Sequence, residues 1–196
     1  MLKVCLMTMC FAALAVSTAL AQEKKAVPPP PKPADEGPSL QATMKFIQDK
    51  LNGIGPVNYI TYVHDDVAGN DQNQRSKYEV TRVVADPTAC RIGYHAKVEI
   101  NGKVNHEGDA VFFLKNVGDI SVVPGEQAMK EAVAAAGHPL WTVKVDPPNF
   151  TLKVNRTNSK VFNSFVFFDE QLANRMAKAM VHAVELCGGG SEPEPF

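Results

Sequence analysis

The sequence predicts an α+β fold in which seven or eight short antiparallel strands form one curled sheet or partly open barrel, capped by a C-terminal helix and preceded by an N-terminal one. Three observations carry this. Between Val57 and Phe168, β-prone runs are separated by turn residues. Ile92, Tyr94, Ala96, Val98 and Ile100 are apolar at every second position, the signature of a strand with one wet face. The chain then closes on an amphipathic run from Asp169 to Cys187.

At the start, Lys3 precedes an uncharged apolar run from Val4 to Leu20, and Ala19 and Ala21 stand in the A-x-A arrangement of a signal-peptidase site. Residues 1–21 therefore read as a secretory signal peptide whose core is too short to span a membrane comfortably. Cys10 follows the bulky Met9, which argues against a lipoprotein signal. Cutting after Ala21 removes one lysine and no acid, so the formal charge goes from −1 to −2. A chain this near neutrality gives no electrostatic footprint for nucleic acid.

Residues 22–38 contain A-V-P-P-P-P-K-P-A-D-E-G-P, too poor in apolar surface to fold and suited to an extended linker. Ser39 then caps a helix in which Leu40, Met44, Ile47 and Leu51 recur every three or four residues, closed by Gly53. Strands follow at Val57–Val63 and Ser76–Ala85, joined by a polar loop from His64 to Gln74. Asp86-Pro87 turns the chain, and Cys90 opens the alternating strand that ends at Asn101-Gly102, a hairpin dipeptide.

Register in that hairpin follows from polarity. A plain two-residue turn would set Tyr94 opposite Asp109, whereas one extra residue, in a three-residue turn or a bulge near Gly108, pairs Tyr94 with Ala110 and Ile92 with Phe112. Burial selects the second register, because a slip of one exchanges the faces. It also brings His95 opposite Asp109. Further strands are expected at Ile120–Val123, Trp141–Val145, Phe150–Val154 and Val161–Phe168, with an alanine-rich helix at Glu126–Ala136 stopped by Gly137. Residues 39–190 read as one domain, and the acidic, proline-broken 191–196 as a disordered tail.

In the last helix, Asp169 is the N-cap, Leu172, Met176, Ala179, Met180, Ala183 and Cys187 form the buried stripe, and Gly188-Gly189-Gly190 ends the run. Once the leader is removed only Cys90 and Cys187 remain, and a pair of cysteines in an exported chain predicts a disulfide stapling this helix to the sheet. Two separate buried thiols are the competing reading.

The element order resembles that of pleckstrin-homology-like barrels, whose bent sheets are plugged by a last helix. That resemblance implies lipid-phosphate binding by basic residues near the first strand pair, but here that loop carries Asp65, Asp66 and Asp71. The segment A-N-R-M-A-K-A-M-V-H-A-V-E-L-C-G-G-G from Ala173 looks like the ending of a family of secreted bacterial proteins of unknown function. It implies no activity.

His95 with Asp109 is the one pair arranged for proton transfer, yet no serine or cysteine nucleophile can be set beside it. His64, Asp65, Asp66, Asn70, Asp71 and Asn73 are rich in oxygen ligands, but their spacing and the position of Gly69 do not fit a calcium loop. His106-Glu107 lacks the second histidine of a zinc helix. No catalytic, cofactor or metal site is therefore expected. The sequence supports an exported, non-catalytic interaction module of the periplasm or extracellular space, taking a protein or peptide of the cell envelope by strand addition and leaving no integral membrane span once the leader is cut. Second comes a carrier of a small apolar ligand held between helix and sheet, and third a hydrolase using His95 and Asp109.

Overall fold

Among the described residues eight strands form, but in two antiparallel sheets instead of one curled sheet. In chain order the elements are α1 (Leu40–Asn52), β1 (Val57–Asp65), β2 (Asn70–Asp86), β3 (Arg91–Ile100), β4 (Lys103–Phe113), β5 (Val117–Pro124), α2 (Gly125–Ala135), β6 (Trp141–Asp146), β7 (Phe150–Arg156), β8 (Phe162–Phe167) and α3 (Glu170–Leu186). This computed structural model describes residues 37–157 and 162–190, all within one compact unit. The expected signal peptide 1–21, the linker up to residue 36, the turn at 158–161 and the tail 191–196 lie outside the described residues.

The larger sheet has the order β4-β3-β2-β1-β6 and the smaller β5-β7-β8. Among the described residues no closed barrel forms. After β4, a 3₁₀ turn at Leu114–Asn116 with Leu114 fully buried swings the chain out of the first sheet, so β5 pairs with β7. β6 then returns to the first sheet beside β1.

In the β3–β4 hairpin, Tyr94 pairs with Ala110, Ile92 with Phe112 and His95 with Asp109. The turn itself has two residues, Ile100 facing Lys103, and the extra residue is Asn105, closer to the turn than Gly108. Asn101 and Gly102, at φ 51° and 78°, give the doubly left-handed turn that matches strand twist. A second irregularity lies in β2 between Thr81 and Val84. Strict alternation from buried Val80 would aim Arg82 into the core; with Arg82 at φ 53°, Val83 goes in and Arg82 out.

The polar stretch 64–74 is mostly strand. β1 and β2 stay paired as far as Asp65 and Asn70, leaving a turn over 66–69. Asp65 Oδ1 accepts the Val67 and Ala68 amides, both at 3.0 Å, and these bonds hold its carboxyl below the usual range.

The core lies where the sheets meet. Tyr94 of β3 packs on Phe165 of β8 at 5.0 Å between ring centroids, with Phe112 edge-on to Tyr94 at 6.4 Å. Tyr78 Oη donates to the Ser164 carbonyl at 2.5 Å and Tyr94 Oη to Asn163 Oδ1 at 3.0 Å, fixing the register between sheets. α1 packs on β2, while α3 covers the smaller sheet and α1 rather than the larger curved surface. Asp169 caps α3 by accepting the Gln171 and Leu172 amides, and its buried face is Ala173, Met176, Met180, Ala183 and Val184. This stripe is turned slightly from the expected one, leaving Leu172, Ala179 and Cys187 partly buried at its margin.

Candidate functional site

Cys90 and Cys187 are disulfide-bonded with Cα atoms 5.8 Å apart and 97 residues of separation. Cys90 sits in the turn before β3 instead of opening that strand, at φ 48°, and its carbonyl accepts the Leu114 amide. Beyond α3, Gly188 at φ 70° lets its own amide and that of Gly189 reach back to Glu185 and Val184. A Cβ on Gly189 would lie 2.3 Å from the Leu114 carbonyl. The end of α3 is thus fastened to both the β2–β3 turn and the 3₁₀ turn. A disulfide belongs to an oxidising compartment, and no helix among the described residues is long and apolar enough to cross a membrane.

His95 and Asp109 meet on the outer face of the larger sheet, Nδ1 to Oδ1 at 2.9 Å. Arg82, carried there by the β2 bulge, places Nη2 2.5 Å from the same Nδ1 and 2.9 Å from the same carboxylate. A ring nitrogen cannot at once accept from Arg82 and donate to Asp109, so the guanidinium competes with the hydrogen bond that a catalytic dyad needs. Asp109 is 74% exposed, and its bond to His95, then the Arg82 charge, hold its carboxyl below the usual range. Neither His95 nor Asp109 lines the two cavities described below.

His64 Nδ1 meets Asp71 Oδ1 at 2.8 Å, and that bond raises the imidazole above its ordinary pKa. Asp66 lies 3.8 Å from His64 Nε2 and accepts from Thr142 of β6. Asp71 thus ties the two strands of the hairpin together, and Asp66 ties the hairpin turn to β6. No group of three or more histidine, cysteine or acidic side chains among the described residues is placed to hold a metal.

The largest of the described clefts lies elsewhere, under α2. A cavity of about 540 Å³ is lined by this helix and by both sheets, within the size range of small-molecule sites. A second, of about 460 Å³, lies along β1 and β2 beside Arg75, Lys77 and Glu99. α2 turns Ala128, Met129, Ala132 and Ala135 toward the larger cavity, and Gly125 is the only residue it buries. The larger sheet contributes Tyr59, Tyr78 and Val98, and β8 contributes Phe162, Ser164 and Val166. Burial raises the pKa of both tyrosines, so they present neutral hydroxyls.

Two charges line the cavity. Lys153, with a side chain only 14% exposed, pairs with Glu131 of α2 across the gap and lies 5.9 Å from the Phe162 ring. Lys153, then Gln127, hold the Glu131 carboxyl below its usual range. At the other end Gly125 donates its amide to the Asn149 carbonyl, and the Asn149 side chain fills the space a Cβ on Gly125 would need. Asn149 is 3% exposed, and its Nδ2 has no acceptor.

Sequence reasoning missed α2 as a functional element. The visible signal was a helix rich in alanine, E-Q-A-M-K-E-A-V-A-A-A, with little bulk to fill whatever it covered. No family model matches the chain, and neither curated proteins nor solved structures give a match, so neither resemblance drawn from the sequence gains support.

Proposed function

We propose that this is an exported, non-catalytic binding protein that holds a small amphipathic ligand beneath α2. The observation carrying this reading is the roughly 540 Å³ space under the apolar face of a helix that touches β5, β6 and β7 yet buries only Gly125. Surface helices of globular proteins normally bury such a face. A ligand would supply the missing contacts. Export rests on the expected leader together with the Cys90–Cys187 bond.

Native mass spectrometry of the full chain, purified from its own host without denaturation, tests it. A bound small-molecule adduct is expected, and Ala132→Trp, which crowds the cavity, weakens or abolishes it. Ligand-free protein that also fails to take up an added apolar fluorophore would overturn the reading.

A second reading, strand addition by an envelope peptide, is favoured by edge strand β4. There Val111 and Phe113 are exposed beside Val84, with Gly93 leaving the surface between Val84 and Val111 flat. A pull-down from envelope extract that returned no specific partner would count against it.

A further inference from the structure

Beneath α2 the polar groups fall on one line. Asn149, Thr151 and Lys153 alternate along β7 and its approach, all lining the cavity. At ~3.3 Å per residue, that line is roughly 13 Å long. Facing it is the apolar wall of Ala128, Met129 and Ala132. Each end carries a donor. The Asn149 Nδ2 is buried without an acceptor. The Lys153 ammonium is 14% exposed, whereas the Glu131 carboxylate that neutralises it is 48% exposed and carried on the loosely packed helix. The cation belongs to the interior and its partner to the rim, so the site complements an anion.

Building on the cavity reading, we infer that the ligand is an extended amphipathic monocarboxylate: its carboxylate takes Lys153 from Glu131, its apolar body lies against α2, and an oxygen near its far end accepts from Asn149. The exchange is isoelectric at Lys153, and Glu131 is released to water. A neutral ligand would leave the Lys153–Glu131 pair in place across the gap. A dianion would leave one charge without a cation, since among the described residues Lys153 is the sole positive side chain lining this cavity.

Calorimetric titration of the full chain with decanoate, 1-decanol and 10-hydroxydecanoate tests this. The wild type is expected to take decanoate about tenfold more tightly than decanol. Lys153→Met removes that preference while decanol binding is retained, Lys153→Arg restores it, and Glu131→Gln strengthens decanoate binding by removing the competing carboxylate. The hydroxylated acid is expected to bind a few-fold more tightly than decanoate. Equal affinity for acid and alcohol in the wild type, or a preference that survives Lys153→Met, overturns the carboxylate assignment while the cavity reading stands. Equal affinity for the two acids overturns the role given to Asn149. Failure of all three compounds to bind overturns both inferences together.

Discussion

α2 and α3 are both amphipathic helices, α2 resting mainly on β6 of the larger sheet and α3 on the smaller sheet and α1, and both end in the same way. Each finishes with a left-handed glycine, Gly137 or Gly188, whose neighbouring amides fold back on the last turn. They differ in what lies beneath. α3 buries Ala173, Met176, Met180, Ala183 and Val184, is capped by Asp169 and is tied down by a disulfide. α2 buries Gly125 alone, has Pro124 at its N-cap with no side-chain cap, and spans a cavity. Local signals make a helix in both places. Packing decides that one is a structural cover and the other is free to act on a ligand.

The contrast can be broken most forcefully at α3. Replacing Cys90 and Cys187 by alanine reopens a loop of 97 residues, and the chain-entropy model puts the loss at about 4–5 kcal/mol. A thermal melt should fall by on the order of 10 °C. A shift within a degree or two would mean that the end of α3 is held by packing alone. Met180→Ala, at a fully buried position, should cost about 2–5 kcal/mol in denaturant unfolding. Met129→Ala should cost under about 1 kcal/mol, because its side chain borders empty space. Similar losses at the two methionines would erase the distinction between the helices.

Enlarging a side chain sharpens the comparison by reversing its sign. Ala183→Leu forces extra volume into a site with no exposure and should destabilise by about 1–3 kcal/mol. Ala132→Leu adds apolar atoms where the cavity has room, and should be neutral or stabilising in the ligand-free protein. Destabilisation at Ala132 comparable with that at Ala183 would show that the space under α2 cannot accept an occupant.

Much of the fold was legible because it is written locally. The caps Ser39 and Asp169 and the stop at Gly188 are short-range chemistry. The pairing of Tyr94 with Ala110 followed from polarity together with the short turn, since a slip of one residue would turn Asp109 onto the face of Tyr94. What could not be read depends on partners distant in sequence. Nothing in Ile120–Val123 or Trp141–Val145 says that one joins β7 and the other β1, so two sheets were read as one. The polar 64–74 stretch looked like a loop because both faces of that hairpin are wet, yet backbone pairing needs no apolar side chains. Arg82 reached the His95–Asp109 pair through a bulge that alternation does not reveal. The cavity was least legible of all, for periodicity reports which face of a helix is apolar and not whether anything fills the space opposite.

The smallest expected effect concerns what keeps α2 in place. Glu131 is depressed from its ordinary pKa near 4.5 by Lys153, so the ionised carboxylate is favoured in the folded state. The pair's contribution is therefore complete above that ordinary value, and is lost as pH falls through the lower folded-state pKa. Glu131 is about half exposed and screened by solvent, so the energy at stake is below about 1 kcal/mol. Local opening is the sensitive measure, because α2 has little buried apolar area to resist it. Hydrogen exchange in α2, corrected for the intrinsic pH dependence, should quicken as pH drops below about 4.5, while α3 amides stay protected until the domain itself unfolds. In Glu131→Gln the α2 amides should exchange faster at neutral pH and lose that acid response. If α2 proves as protected as α3 across this range and in the variant, then the helix over the cavity is no looser than the helix over the core, and the contrast between them fails.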